Sequence, residues 1–250
     1  MYSETGDHSI HVCFSPLSWP IFRQDDALVI ITDIFRATSA ICAAFQNKVE
    51  AIIPVETIAE SEEYKRKGYI CAGERDGKTI ACADFGNSPF NFMNPELRDK
   101  TIVMNTTNGT RAIKTAVEGN NTVVIGAFTN LDSVVGFAMN QQRNVIIFCA
   151  GWKDRFCTED SLFAGAVVSR LIEEGNGKFH TMCDSAIASA DLWSIAKNDL
   201  RGYIEKVAHR HRLKKLGLDD VIPYCLEMNT TSCLPIYKDD RLVAYDYLSL

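Results

Sequence analysis

Ala27-Leu28-Val29-Ile30-Ile31-Thr32 runs straight into Asp33-Ile34-Phe35-Arg36-Ala37-Thr38-Ser39. The first run is apolar, β-branched and too short for a helix, so it reads as a buried strand. From Ala37 to Phe45 small and apolar residues recur as on a helix packing face. A strand that ends in an acid and passes into a helix is the opening unit of an α/β fold.

The same alternation continues outward. Val49 to Val55 reads as a second strand. Thr57 to Lys67 is a polar helix, with Thr57 capping, Glu60 three positions on and Gly68 as the stop. Tyr69 to Gly73 is a third strand, and Arg75 to Pro89 a loop. Strands follow at Thr101–Thr106, Thr122–Ala127 and Asn144–Cys149. Helices follow at Thr110–Val117, Asn130–Gln141 and Glu159–Glu174. This order predicts a three-layer α/β/α fold with a mostly parallel or mixed central sheet. Beyond Gly177 the pattern changes. Ser185–Lys197 and Leu200–Leu216 read as helices, and Leu234–Tyr247 alternates as a hairpin around Lys238-Asp239-Asp240-Arg241. The expectation is one domain over 1–250, with a core over 1–177 and a C-terminal subregion over 178–250 that serves as cap or sheet edge.

The 250 residues, 46% hydrophobic and 23% charged, suit a globular chain with a sizeable core. The polar, acidic start Met1–Asp7 does not resemble a secretory signal. No apolar run is long enough to span a bilayer. The nine cysteines show no C-x-x-C pair, which favours small buried thiols in a reducing, cytoplasmic compartment. A net charge of −6 disfavours nucleic-acid and membrane partners but allows a locally positive pocket.

In open α/β sheets ligands bind beyond the carboxyl ends of strands. Here those ends carry Asp33 and Arg36, then Glu74-Arg75, then Thr106-Thr107-Asn108-Gly109-Thr110, Thr129-Asn130, and Cys149-Ala150-Gly151. The loop between adds Asp84, Asn87 and Ser88. A carboxylate closing an apolar strand is costly unless paired or metal-bound, although Asp33 could equally cap the next helix. Arg36 suits a phosphate or sulfonate, or an ion pair with Asp33. Thr106–Thr110 is the best anion-binding candidate, because exposed N–H groups at a helix start favour phosphate; an ordinary cap is the competing account. Glu159 and Asp160 are explained by a helix first turn alone. His209 and His211 fall in a basic helix and read as solvated.

Cys149 to Arg155 has the C-x5-R spacing of cysteine phosphatases, a metal-free alternative. Phe148 and Phe156 stand where that motif has a His and a hydroxyl residue. There is no dinucleotide fingerprint, Walker loop or G-x-S-x-G elbow.

Taken in order, Asp33–Ser39, Ala72-Gly73-Glu74-Arg75-Asp76-Gly77, Asp84–Pro89, Thr106–Thr110, Cys149-Ala150-Gly151 and Thr158-Glu159-Asp160 resemble the 2-phosphosulfolactate phosphatase family. The likeness implies a magnesium-dependent acid phosphatase converting (2R)-2-phospho-3-sulfolactate to 3-sulfolactate and phosphate, a step towards coenzyme M. On chemical grounds Asp33 and Glu74 then hold Mg²⁺, with Asp84 or Asp160. Arg36 and Arg75 neutralise the phosphoryl group, and Thr106, Thr107, Asn108, Gly109 and Thr110 cradle the anion. Asn87, Ser88, Asn130, Cys149 and Gly151 line the pocket. Either Asp33 or a metal-activated water attacks phosphorus. The expected partners are a small anionic phosphorylated substrate and a second copy of the chain. A non-catalytic module that binds anionic metabolites remains the alternative from another class.

Overall fold

The structure, a computed structural model, describes residues 6–117 and 119–246. Residues 1–5 of the acidic start and Tyr247 of the expected hairpin lie outside the described residues. Among the described residues eleven strands form one mixed sheet: β1 His8–Cys13, β2 Leu28–Thr32, β3 Ala51–Val55, β4 Ile70–Arg75, β5 Lys78–Thr79, β6 Thr101–Asn105, β7 Thr122–Gly126, β8 Val145–Cys149, β9 Phe179–His180, β10 Pro235–Lys238 and β11 Arg241–Ala244. Their order is β5-β4-β6-β3-β11-β10-β7-β2-β8-β1-β9. Helices on both faces complete an α/β/α architecture.

The apolar run after Asp26 is β2, buried at every residue because it lies between parallel neighbours. Ile30 stands opposite Val124 of β7 and Ile147 of β8. The helix Ala37–Gln46 is buried along nearly its whole length, which its small residues permit. The Thr57 cap is a full capping box. Thr57 Oγ1 accepts the Glu60 N–H at 3.1 Å, and Glu60 Oε2 accepts the Thr57 N–H at 2.8 Å.

Several expectations need correction. The N-terminal strand β1 escaped the sequence reading, yet it pairs in parallel with β8. The loop after Arg75 contains β5, which folds back antiparallel on the end of β4. Leu200–Leu216 is two helices, Leu200–Ile204 and Ala208–Leu216. The hairpin β10–β11 turns where expected, but it is neither cap nor edge. It sits mid-sheet, β10 beside β7 and β11 beside β3, both antiparallel. One core runs from Ile10 to Leu242, so the tail shares it.

That central hairpin decides the geometry of the site. β1, β8, β2 and β7 run one way. Across three successive antiparallel pairings, β3, β6 and β4 run the other way. In a flat sheet the carboxyl ends of the two blocks would lie on opposite edges. Residues just past β2, β4, β6 and β8 nevertheless line one cleft. The sheet is therefore not flat between the two blocks, which the hairpin joins through one paired residue on each flank, Ile236 to Val124 and Leu242 to Ile52.

Candidate active site

Asp33, Arg36, Glu74, Asn87, Thr107 and Asn108 line one cleft. Asp33 is held by its backbone: its N–H donates to Thr38 Oγ1 at 3.0 Å, and its carbonyl accepts the Thr38 N–H at 3.0 Å. The side chain is left facing the cleft, 8% exposed. Burial pushes its carboxyl up to about 7; His209 opposes the rise, and the negative charges of Glu74 and Glu159 add to it, as expected of a carboxylate taken from water among like charges.

Arg36 follows a cis Phe35–Arg36 peptide bond and precedes the helix Ala37–Gln46. It is 5% exposed, and its guanidinium makes no hydrogen bond or ion pair with any described residue. Burial lowers its pKa, with Glu74 and Asp33 among the charges that oppose this. A guanidinium that faces a cleft beside carboxylates, with no hydrogen bond of its own, is free to take an anionic ligand.

Glu74 is a brace as much as a ligand. Its Oε1 accepts the Thr107 N–H at 2.7 Å, while Oε2 accepts the Gly77 N–H at 2.7 Å and the Thr107 hydroxyl at 3.1 Å. The turn after β6 is thereby fastened to the end of β4. Behind it Thr106 and Thr110 close on each other: Thr106 Oγ1 accepts the Thr110 N–H at 3.0 Å, and Thr110 Oγ1 accepts the Thr106 N–H at 3.1 Å. Gly109 opens the helix Gly109–Ala116 in tight quarters, for a Cβ there would lie 2.5 Å from Ala37 Cβ. Thr106, Gly109 and Thr110 thus shape the turn from behind while Thr107 and Asn108 face the cleft. Asn87 is buried with its Oδ1 unpartnered, and Ser88 borders an adjoining hollow that shares Arg36.

The remaining expected residues are elsewhere. Arg75 spends its guanidinium on the carbonyls of Glu74 (2.9 Å) and Glu56 (2.6 Å), so it does not reach the cleft. Asp84 pairs with Lys65 at 2.5 Å and accepts the Cys71 N–H at 2.9 Å. Asn130 bonds the Ala127 N–H and the carbonyls of Ile125 and Cys233, an internal staple. Asp160 is buried behind Asp33, with Oδ1 on the Ile34 N–H at 2.9 Å and Oδ2 on the Gly151 N–H at 3.2 Å. Gly151 serves that clasp and not the cleft. Cys149 is fully buried, and burial pushes its thiol well above the ordinary range. Arg155 is exposed, its backbone paired with Trp152. A thiolate cradled by that arginine is therefore excluded.

The cleft also takes residues that were not expected there, four of them from one helix. The helix Ala208–Leu216 lies over the cleft and lends it His209, Arg212, Leu213 and Leu216. His209 is not solvated: its Nδ1 is 2.6 Å from Oε1 of Glu159, which is itself 1% exposed. Arg212 stacks 4.3 Å from the centre of the Trp152 ring, and its Nε is buried without a partner, an arrangement that favours a cation over an indole face. The signal was present in the spacing. His209, Arg212, Leu213 and Leu216 fall at i, i+3, i+4 and i+7, one helical face. Glu159 likewise shares the face of Phe163 and Ala166. His211 is exposed, as expected.

The cleft thus gathers three basic side chains, Arg36, Arg212 and His209, around two buried carboxylates, Asp33 and Glu74. That combination suits a small, multiply charged anion.

A family model described as 2-phosphosulpholactate phosphatase matches residues 17–240. A Clostridium beijerinckii protein named probable 2-phosphosulfolactate phosphatase is 34% identical over 224 residues, 88% of this chain and 92% of its own. Proteins of the same name from Pseudothermotoga lettingae and Thermotoga maritima are 31% and 32% identical. They cover 94% and 82% of this chain and 98% and 87% of their own lengths.

Proposed function

The chain belongs to the 2-phosphosulpholactate phosphatase family, and from that premise we propose that its cleft hydrolyses the phosphate ester of a small acidic metabolite, (2R)-2-phospho-3-sulfolactate, with magnesium. The observation that carries the reading is Arg36: a guanidinium that faces the same cleft as Asp33 and makes no hydrogen bond or ion pair with a described residue. A phosphate or sulfonate oxygen pair satisfies its planar fork. Arg212, stacked on Trp152, supplies the second grip that a substrate with several negative groups requires.

The residues present fit a hard divalent cation. Asp33 is a carboxylate whose ionised form burial disfavours, with Glu74 and Glu159 adding to the cost, so a cation there would restore the balance. Glu74 Oε1 accepts one hydrogen bond, from Thr107, and keeps a lone pair for the cleft. Magnesium uses one or two carboxylates, waters and substrate phosphate, which this set can provide. Bound by Asp33 and Glu74, the ion would neutralise phosphoryl charge and orient the attacking water. Asp84 and Asp160 are left out, since both spend their oxygens elsewhere.

The chain's own groups do the rest. Arg36 and Arg212 bind and orient the anion. Glu159 fixes the His209 ring through Nδ1, leaving Nε2 to move a proton at the leaving oxygen. Glu74 keeps Thr107 and Asn108 against the substrate. No helix among the described residues is long and apolar enough to cross a membrane.

The test is phosphate release from 2-phosphosulfolactate and from a generic aryl phosphate, with magnesium and with a chelator. Wild type is expected to prefer the sulfonated substrate and to stop in chelator. Arg36→Lys is expected to lose most of kcat/KM, because an ammonium cannot reproduce the fork. Binding of the substrate without turnover would support a non-catalytic module instead. Full activity in Asp33→Asn would overturn the assignment.

A further inference from the structure

A second donor set lies beside the cleft, and its chemistry differs from that of Asp33 and Glu74. Cys157 Sγ, a carboxylate oxygen of Glu159 and a ring nitrogen of His209 all lie within 4.8 Å of one another. Cys157 ends the loop after β8 and precedes the helix Thr158–Glu174, whose first turn carries Glu159. His209 comes from the helix that covers the cleft. Cys157 and Glu159 are 5% and 1% exposed.

An independent observation points to a missing ligand. Glu159 Oε1 is engaged by His209, but Oε2 is buried with no hydrogen-bond partner. A buried carboxylate oxygen left this way has lost its water and gained nothing in return, which is costly unless something completes it.

Sulfur, imidazole nitrogen and carboxylate oxygen together select a borderline-soft cation, not magnesium, which takes oxygen. Ligand atoms bound to zinc at about 2.0–2.3 Å sit roughly 3.3–3.8 Å apart. Loading would part the 2.6 Å contact between His209 Nδ1 and Glu159 Oε1 and draw Cys157 Sγ in towards both. Three protein ligands leave a fourth position for water or substrate.

We propose that Cys157, Glu159 and His209 form a binding site for a zinc-class divalent cation, separate from the hard-cation position at Asp33 and Glu74. Loading forms one bond each to Sγ, the carboxylate and the imidazole nitrogen. The thiol proton leaves to solvent and no electron is transferred. Entry is from the cleft, which His209 borders. Where His209 and Glu159 move a proton in turnover, a bound cation takes them out of use, so zinc inhibits; that consequence alone rests on the proposed function.

The experiment titrates Co²⁺ into the metal-free full-length protein and follows the thiolate-to-cobalt charge-transfer band. Wild type is expected to develop the band at one equivalent, to lose it to Zn²⁺, and to keep it in excess Mg²⁺. Cys157→Ser is expected to abolish the band. His209→Gln is expected to weaken binding by more than the roughly 10–100-fold that loss of even an outer partner costs. Cys183→Ser and Cys233→Ser should leave it intact, since neither touches the set. Anomalous diffraction from zinc-loaded wild type locates the ion without any variant, so a Cys157→Ser protein that fails to fold leaves the question decidable. No band in wild type, a band that survives in folded Cys157→Ser, displacement by Mg²⁺, or an ion found elsewhere would each overturn the proposal. An inactive wild type that still shows the band would sink the phosphatase reading and leave this site standing.

Discussion

Asp160 Oδ1 accepts the Ile34 N–H at 2.9 Å, a bond between residues 126 positions apart that fixes where the chain leaves β2. The other oxygen takes the Gly151 N–H at 3.2 Å, so one carboxyl group clasps the exits of two adjacent strands directly behind Asp33. Burial holds this group well above the ordinary carboxylate range, with Glu159 and Asp33 adding to the rise.

Asp160→Ala removes both acceptors and leaves two buried N–H groups unpaired. At about 1–3 kcal/mol per orphaned group, the variant is expected to melt several degrees lower and to lose activity through misplacement of Asp33. Asp160→Asn keeps the shape and one acceptor but turns an amide NH2 towards the other N–H, so it is expected to melt between Asp160→Ala and wild type. Thermal unfolding of the two variants side by side checks this; equal melting points would show that the clasp carries no stability.

Gly109 is where the structure tolerates no side chain. A Cβ there would lie 2.5 Å from Ala37 Cβ and 3.0 Å from Asp33 Oδ2. Gly109→Ala is expected to cost about 1–3 kcal/mol by overpacking and to lower kcat more than it raises KM, because the crowding reaches Asp33 as well as Ala37. A calorimetric melt with steady-state phosphate release measures both effects. A variant as stable and as active as wild type would refute the close approach.

Asp33 makes stability depend on pH in a direction opposite to most carboxylates. Its folded value of about 7 exceeds its ordinary 3.8, so the folded protein holds the proton more tightly than the unfolded chain. Its contribution to stability is fully present below pH 3.8 and is lost as pH rises through about 7. In chelator, Asp33→Asn is therefore expected to be more stable than wild type at neutral pH, by roughly 1.4 kcal/mol for each pH unit by which the wild-type carboxyl is ionised against its folded preference. No gain is expected below pH 3.8. Magnesium requires the ionised form. The rise in melting temperature on adding it should therefore grow as pH passes about 7, and vanish in Asp33→Asn. Melting curves across pH, with and without the ion, decide the matter.

Cys183 is the thiol poised to react. Burial alone would raise it, but hydrogen-bond contacts with His11, Ser185 and the Val12 and Ala186 backbone outweigh burial and bring it down to about 6. It precedes the helix Asp184–Ala196 and is half-buried, whereas Cys149 and Cys225 are fully buried with raised thiols. The thiolate is the reactive form. At neutral pH iodoacetamide is expected to modify Cys183 far faster than those two, with the rate falling as pH drops through about 6. The depressed value also gives a stabilising contribution that follows pH; it is complete above pH 9.0 and lost on acidification through about 6. Peptide mapping after timed alkylation reads the order of labelling; equal rates at Cys183 and Cys149 would contradict it.

The strands and helices around Asp33 were legible because burial leaves a local imprint. A strand covered on both faces must be apolar throughout, as β2 is. A helix start carries its capping pair three residues apart, as Thr57 and Glu60 do. The residues that end strands were equally legible as candidates, and Asp33, Arg36, Glu74, Asn87, Thr107 and Asn108 meet in one cleft. Arg75, Asp84 and Asn130 had the same local credentials. They differ only in which neighbour reached them first, and for Arg75 and Asn130 that was mostly backbone carbonyls.

What the amino-acid order determined alone was the set of elements, their polarity pattern and the family likeness, since each depends on residues close together along the chain. Tertiary structure alone decided that β10 and β11 enter the middle of the sheet, that residues from both of its halves line a common cleft, and that His209 meets Glu159 from 50 positions away. Such pairings are settled by closing long loops and burying surfaces from distant segments against each other. A carboxylate and an imidazole carry no local mark of the partner they will find.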